Sequence, residues 1–199
     1  MKYIIILLVI LLVGCGTMKT EITKVDKSLD KATFAGGCFW CMEAAFENVN
    51  GVKIAVSGYT GGSKEDAVYE KIGTGTTGHY ESVQVIFDPK VVSYSELVET
   101  FWRQIDPTDS EGQFADKGSQ YKTAIFYHNA SQKKIAEESK KRLEDSKKFD
   151  KPIVTQILQA KEFYLAEEYH QDYAQKRVVQ YKLYESGSGR KDFKEEVWK

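Results

Sequence analysis

Between residues 32 and 127 the apolar period changes in the order strand, helix, strand, strand, helix, strand, and few architectures accept that order. Residues 32–35 read as a strand ending on the pair Gly36-Gly37. Met42, Ala45, Phe46 and Val49 then recur at helical spacing over residues 41–48, stopped by Asn50-Gly51. Residues 52–59 alternate as a strand, and residues 82–87 form another, closed by Asp88-Pro89. Ser93 and Glu96 have the spacing of a capping box, ahead of a stripe made by Leu97, Val98, Phe101, Trp102 and Ile105. Residues 121–127 supply the last strand. The order is that of a split βαβ unit, so the expected fold is an α+β, two-layer ferredoxin-like sandwich with peripheral loops and an irregular C-terminal segment. Beyond it, residues 131–147 read as a charged amphipathic helix and 153–158 as a strand. Residues 161–177 read as an irregular helix, and 185–199 ("ESGSGRKDFKEEVWK") as a linker-like tail.

A chain of 199 residues accommodates one such domain with appendages. Its N-terminus stands apart. Lys2 precedes an apolar run from Tyr3 to Val13, too short to span a bilayer comfortably, followed by Gly14 and Cys15. The ending Leu12-Val13-Gly14-Cys15 resembles a bacterial lipoprotein box, which implies a signal peptide over 1–14 and a lipid on Cys15. Residues 15–31 then form a polar tether, 32–184 the folded domain and 185–199 the tail. The expected location is the extracytoplasmic side of a bacterial membrane. A net charge of −1 does not advertise a nucleic-acid partner, and a monomer is expected.

With Cys15 lipidated, only Cys38 and Cys41 remain, in "FAGGCFWCMEAAF". A bridge across two residues closes almost no chain, so it would stabilise little. Two structural thiols are disfavoured because the glycine turn argues against burial of Cys38. A zinc half-site lacks a second paired motif, its other ligands having to come from His79, His128, His170 or carboxylates. A redox pair fits better. Cys38 stands where a helix begins, and the unpaired N–H groups and helix dipole there favour a thiolate. Cys41 lies one turn on, at a Cα separation of about 5–6 Å that a disulfide can span. A thiol–disulfide oxidoreductase needs only the pair; a reductase of a small oxidised group also needs an acid, donors and a pocket. Phe39 and Trp40 favour the second, since adjacent residues of one helix cannot both point straight into the core.

"GGCFWCMEAAF" resembles the catalytic signature of the peptide methionine sulfoxide reductase A family. The resemblance continues through "VSGYTGG" (56–62), "TGHYESVQVIFDP" (77–89), "DKGSQYKTAIFY" (116–127) and "AEEYHQDY" (166–173). It implies reduction of the S epimer of methionine sulfoxide, with Cys38 as nucleophile and Glu81 as proton donor. It also implies that Tyr69 and Tyr121 bind the sulfoxide oxygen, Phe39 and Trp40 the methyl group, and that Asp116 organises the site. The family usually has Asn-Pro-Thr before the first tyrosine, where this chain has Asp66-Ala67-Val68. Many members resolve with a cysteine near the C-terminus; this tail has none, which leaves Cys41. The implied reductant is an external dithiol protein of thioredoxin type, with no metal or organic cofactor. A membrane-tethered CxxC thiol–disulfide oxidoreductase is the alternative. The three histidines are read as structural or hydrogen-bonding, with His170 supporting the fold near the site, and Asn129-Ala130-Ser131 as a helix start.

Overall fold

The computed structural model describes residues 28–198. The chain runs β1 (Asp30–Gly36), α1 (Phe39–Glu47), β2 (Val52–Thr60), α2 (Tyr69–Ile72), β3 (Tyr80–Phe87) and α3 (Tyr94–Trp102). There follow a short hairpin, β4 (Gly112–Gln113) and β5 (Asp116–Lys117), then β6 (Thr123–Tyr127), α4 (Ala130–Asp145), β7 (Gln156–Gln159) and β8 (Phe163–Leu165). Three helices close it, α5 (Tyr173–Lys176), α6 (Val178–Gly187) and α7 (Arg190–Val197). The main sheet has the order β7-β6-β1-β3-β2-β8. Its four central strands pair antiparallel throughout, as the split βαβ pattern requires, while β7 joins β6 in parallel and β8 joins β2 antiparallel.

Local chemistry sets the helix boundaries. Ser93 Oγ accepts from Glu96 N–H, and the Glu96 carboxylate accepts from Ser93 N–H, completing the capping box. Asn129 accepts from Gln132 N–H at 2.9 Å and starts α4, as the sequence predicts.

Strand alternation explains the core. Ala32 and Phe34 on β1, Val83, Val85 and Phe87 on β3, and Ile125 on β6 face the helices, where they meet Met42, Phe46, Leu97, Val98 and Phe101. Phe34 lies at the centre, its ring stacked against Phe46 at 4.9 Å and Phe101 at 5.3 Å. The opposite face buries a smaller set, Ala35, Ala124 and Phe126. Phe34→Ala is expected to cost about 3–5 kcal/mol, the range for deleting a buried aromatic ring. Urea unfolding measures it, and a loss under about 1 kcal/mol would contradict the central position of Phe34.

The same alternation carries Glu81 into phase with Val83 and Val85, so a carboxyl group points toward the helix layer. It stands opposite Tyr59 of β2 in the register.

The structure departs from expectation at four places. β1 begins at Asp30, inside what reads as tether. Tyr121 lies in a 3-10 turn, Ser119–Tyr121, ahead of the strand. Residues 163–165, read as part of a helix, form edge strand β8, because Thr60, Tyr59 and Gly58 of β2 offer an open ladder to pair with. The tail read as a linker is helical and built into the fold: Gly189 turns the chain at φ 85° and α7 sends Arg190 inward, where it is 1% exposed. The signal segment 1–14, Cys15 and the tether up to residue 27 lie outside the described residues.

Candidate active site

Cys38 is the residue before α1, held there by a turn that only glycine accepts. Gly37 has φ 78°, and a Cβ on it would come within 2.5 Å of the Gln113 side chain and 2.9 Å of an Arg190 nitrogen. On Gly36 a Cβ would lie 2.5 Å from Met42 Sδ. The glycine pair therefore lets three elements approach the cysteine turn closely.

Both thiols are buried, Cys38 at 5% and Cys41 at 2% exposure. This corrects the expectation that the turn would expose Cys38. The acidities are corrected too. Burial pushes the Cys38 thiol well up, and its hydrogen bond with Cys41 pushes it further. That same hydrogen bond holds Cys41 down, against its burial, with Arg190 adding to the effect. The free N–H expected to stabilise a Cys38 thiolate is engaged elsewhere: Phe39 N–H donates to Glu81 Oε2 at 3.2 Å.

Glu81 is 2% exposed, and burial raises its carboxyl from 4.5 to about 8, with Asp116 and Cys41 adding to the rise and the Phe39 N–H opposing it. At neutral pH it is largely a neutral acid within reach of the cysteine turn. Tyr69 and Tyr121 stand near enough for charge on Glu81 and Cys38 to bear on both phenols. Burial, first, and those charges push Tyr69 up to about 12 and raise Tyr121 as well, so both remain O–H donors.

The departure from Asn-Pro-Thr does not leave Tyr69 unplaced. Glu167 accepts from Tyr69 N–H at 2.9 Å and from Tyr59 Oη at 2.8 Å, tying the loop to β2. The Tyr69 ring rests on His170 at 4.4 Å.

Phe39 is in the core, 5.8 Å from the Tyr59 ring and 4.9 Å from His170. Trp40 stacks on Tyr173 at 3.8 Å and donates from Nε1 to His170 Nδ1 at 3.0 Å. An accepting Nδ1 puts the His170 proton on Nε2, and burial lowers the imidazole's pKa, so the ring is a neutral support for Trp40. Asp116, on β5, accepts from Tyr184 Oη.

The structure thus brings together Cys38, Phe39, Trp40, Cys41, Tyr69, Glu81, Asp116 and Tyr121, at the end of the central strands. It also adds residues that sequence reasoning missed. Tyr184 hydrogen-bonds Cys38 and Tyr181 hydrogen-bonds Cys41, both from α6. Their i,i+3 spacing was the available signal; Arg190, inside a Ser-Gly-rich stretch, offered none. Among the described residues, Glu43, Glu47 and Asp172 form a cluster of possible metal ligands that includes neither thiol. Glu43 Oε2 there accepts from Ser57 Oγ and from Asp172 N–H, which ties α5 to the sheet.

Fold and site together define a class: an α+β oxidoreductase with its functional groups gathered where α1 meets the sheet. The family model described as peptide methionine sulfoxide reductase matches residues 30–199. A peptide methionine sulfoxide reductase MsrA of Bacillus licheniformis is 56% identical over 167 residues, covering 84% of this chain and 92% of that one. Reduced Mxr1 of Saccharomyces cerevisiae superposes with a TM-score of 0.73 at 33% identity, covering 78% of this chain and 90% of that one. Mxr1 in complex with Trx2 matches with a TM-score of 0.54 at 28% identity, covering 76% and 89%. The chain belongs to the peptide methionine sulfoxide reductase A family and has its peptide-methionine (S)-S-oxide reductase activity. These relatives lend no support to a general CxxC thiol–disulfide oxidoreductase.

Proposed function

We propose that Cys38 takes the sulfoxide oxygen, that Glu81 supplies the proton, and that Cys41 clears the oxidised Cys38. One observation carries this reading: the buried Glu81 carboxyl, bonded to the N–H of the residue after Cys38, stays protonated up to about pH 8. Phe39 and Trp40 hold the substrate methyl, which turns its sulfur toward Cys38. Tyr69 and Tyr121 donate to the oxygen as negative charge develops on it. Burial keeps Glu81 protonated, and the charge on Asp116 adds to the effect.

The pair of thiols ionises as one system. Cys41, the more acidic, gives up its proton first and accepts that of Cys38 along their hydrogen bond. The Cys38 sulfur attacks the sulfoxide sulfur while its oxygen takes the Glu81 proton; the hydroxyl then passes from the methionine sulfur to Cys38 as the new S–S bond breaks, leaving a Cys38 sulfenic acid and methionine. Methionine sulfur keeps the electron pair. Cys41 then attacks Cys38, the S–S bond forms, and the hydroxyl departs as water.

The disulfide is returned to thiols by an external dithiol protein of thioredoxin type, a partner for which the Mxr1–Trx2 complex supplies a precedent. Cleavage before Cys15 and lipid attachment there would hold the domain on the outer face of a bacterial membrane, as a monomer on a tether that ends where β1 begins.

Cys41→Ser tests the division of labour. It is expected to yield one equivalent of methionine per chain and then stall with a thioredoxin-type reductant, while the parent turns over repeatedly. Rapid multiple turnover in that variant would remove Cys41 from the cycle. The S and R epimers, with insulin disulfide as control, are to be assayed side by side; consumption of the S epimer alone is expected.

A further inference from the structure

Arg190 is a buried guanidinium whose charge bears on the Asp116 carboxyl and on Cys41. Among the described residues it makes no ion pair with a carboxylate, and its Nε is buried without a hydrogen bond. A buried charge is costly unless matched, so its neighbours show what it serves. Nη2 donates to the Gly36 carbonyl at 2.8 Å, in the turn that carries Cys38. Nη1 donates to the Gln104 carbonyl, just past α3, and lies 4.0 Å from Met42 Sδ on α1. The guanidinium also rests over the Phe114 ring at 4.7 Å, in the hairpin whose second strand bears Asp116.

The C-terminal helix therefore plants a cation against the cysteine turn, at the spot where a side chain on Gly37 would collide with it. The titratable and charged groups bearing on Cys41 come from four directions. They are Cys38 before α1, Glu81 on β3, Tyr181, Tyr184 and Glu185 on α6, and Arg190 on α7. Arg190 is the one positive charge of that set. Glu185 acts against it, and its carboxylate also has Lys194 at 3.5 Å.

We propose that Arg190 is a positioning residue for recycling, holding the Gly36–Gly37 turn under Cys38 and setting a positive charge beside Cys41 so that Cys41 attacks the oxidised Cys38. The inference rests on the reading of Cys38 and Cys41 given above. It assigns to the tail helix of this chain a part in disulfide formation, beside the α6 tyrosines that meet the two thiols. In that step the Cys41 sulfur gains a bond to Cys38, Cys38 loses its hydroxyl, and the hydroxyl takes a proton and leaves as water. The oxidant is the Cys38 sulfenic acid, whose oxygen came from the sulfoxide.

The test uses the full chain mixed with one equivalent of methionine-S-sulfoxide and quenched in acid, with methionine and remaining thiols counted separately across pH. The parent is expected to form one methionine and then lose two thiols, the second process titrating below the ordinary thiol value of about 8.5. In Arg190→Met, thiol loss is expected to slow about tenfold at pH 7 and its profile to move up by about one pH unit, the lower end of what an adjacent Arg does to an acid. Methionine formation should fall by less. Arg190→Lys keeps the charge and should return the profile toward that of the parent. An unmoved profile in Arg190→Met overturns the proposal, as does equal behaviour of the Met and Lys variants, which would mark a purely structural role. Should Arg190→Met fail to fold, the parent decides: a thiol-loss step titrating at or above about 8.5 overturns it. Methionine formed with no loss of thiols would instead remove the Cys38–Cys41 cycle itself, a separate failure.

Discussion

Cys38→Ser is expected to form no methionine from methionine sulfoxide above the uncatalysed background, with any reductant. Atoms, and not acidity alone, decide the outcome. Sulfur accepts an oxygen equivalent as a sulfenic acid, whereas the same transfer to a serine oxygen would require a peroxide bond. Binding groups would survive, since Phe39, Trp40, Tyr69 and Tyr121 are held by their own contacts with Tyr59, His170, Tyr173 and the 3-10 turn. The fold should survive as well. A serine hydroxyl has the size of the thiol and keeps hydrogen-bond partners in Tyr184 and Cys41, so stability should change by about 1 kcal/mol at most. Thermal unfolding and product analysis on the same preparation separate loss of chemistry from loss of structure. A folded Cys38→Ser protein that still makes methionine would end the assignment.

The contrast with Cys41→Ser is informative because the two sulfurs are not equivalent. Burial dominates at Cys38, while the hydrogen bond it gives makes Cys41 the more acidic partner. A helix N-terminus suggested the reverse. The helix dipole is present, but the first N–H of α1 is occupied by Glu81, and a turn that looks open in sequence is roofed by α6. Neither fact has a local sequence signature, since both depend on elements more than forty residues away.

What was legible follows the same rule. The split βαβ order could be read because each strand and helix carries its own period, and the Ser93–Glu96 box marked a boundary by local chemistry. Glu81 shared the alternation of Val83 and Val85, so its inward direction was also readable in principle. β8 was not: three residues at a sheet edge take their conformation from β2, against a helical-looking background. The Ser-Gly run before Arg190 has the composition of a linker, and only tertiary contacts with Gly36 and Gln104 reveal a docked helix. The site's missed residues lie there and on α6 just before it.

Glu81→Gln is expected to slow methionine formation in a single turnover by about 10²–10⁴-fold, the usual contribution of a general acid. The amide can still donate a hydrogen bond to the oxygen but has no proton to surrender, so the loss isolates transfer from polarisation. The pH dependence gives a sharper signature. In the parent the acid form of Glu81 disappears as pH rises through about 8, so the oxygen-transfer step should decline above that value once the thiols are ionised. The variant should lack this declining limb. Stability carries the matching sign: a carboxyl raised from 4.5 to about 8 favours the folded state fully below the lower value, and that contribution is lost as pH climbs to about 8. Urea unfolding of the Gln variant should therefore vary less over that window than unfolding of the parent. A variant retaining more than about a tenth of the single-turnover rate, or keeping the alkaline decline, would show that the proton comes from elsewhere. Tyr69 and Tyr121 would then be the groups to test, since both remain protonated across the same range and stand close enough for Glu81 to influence them.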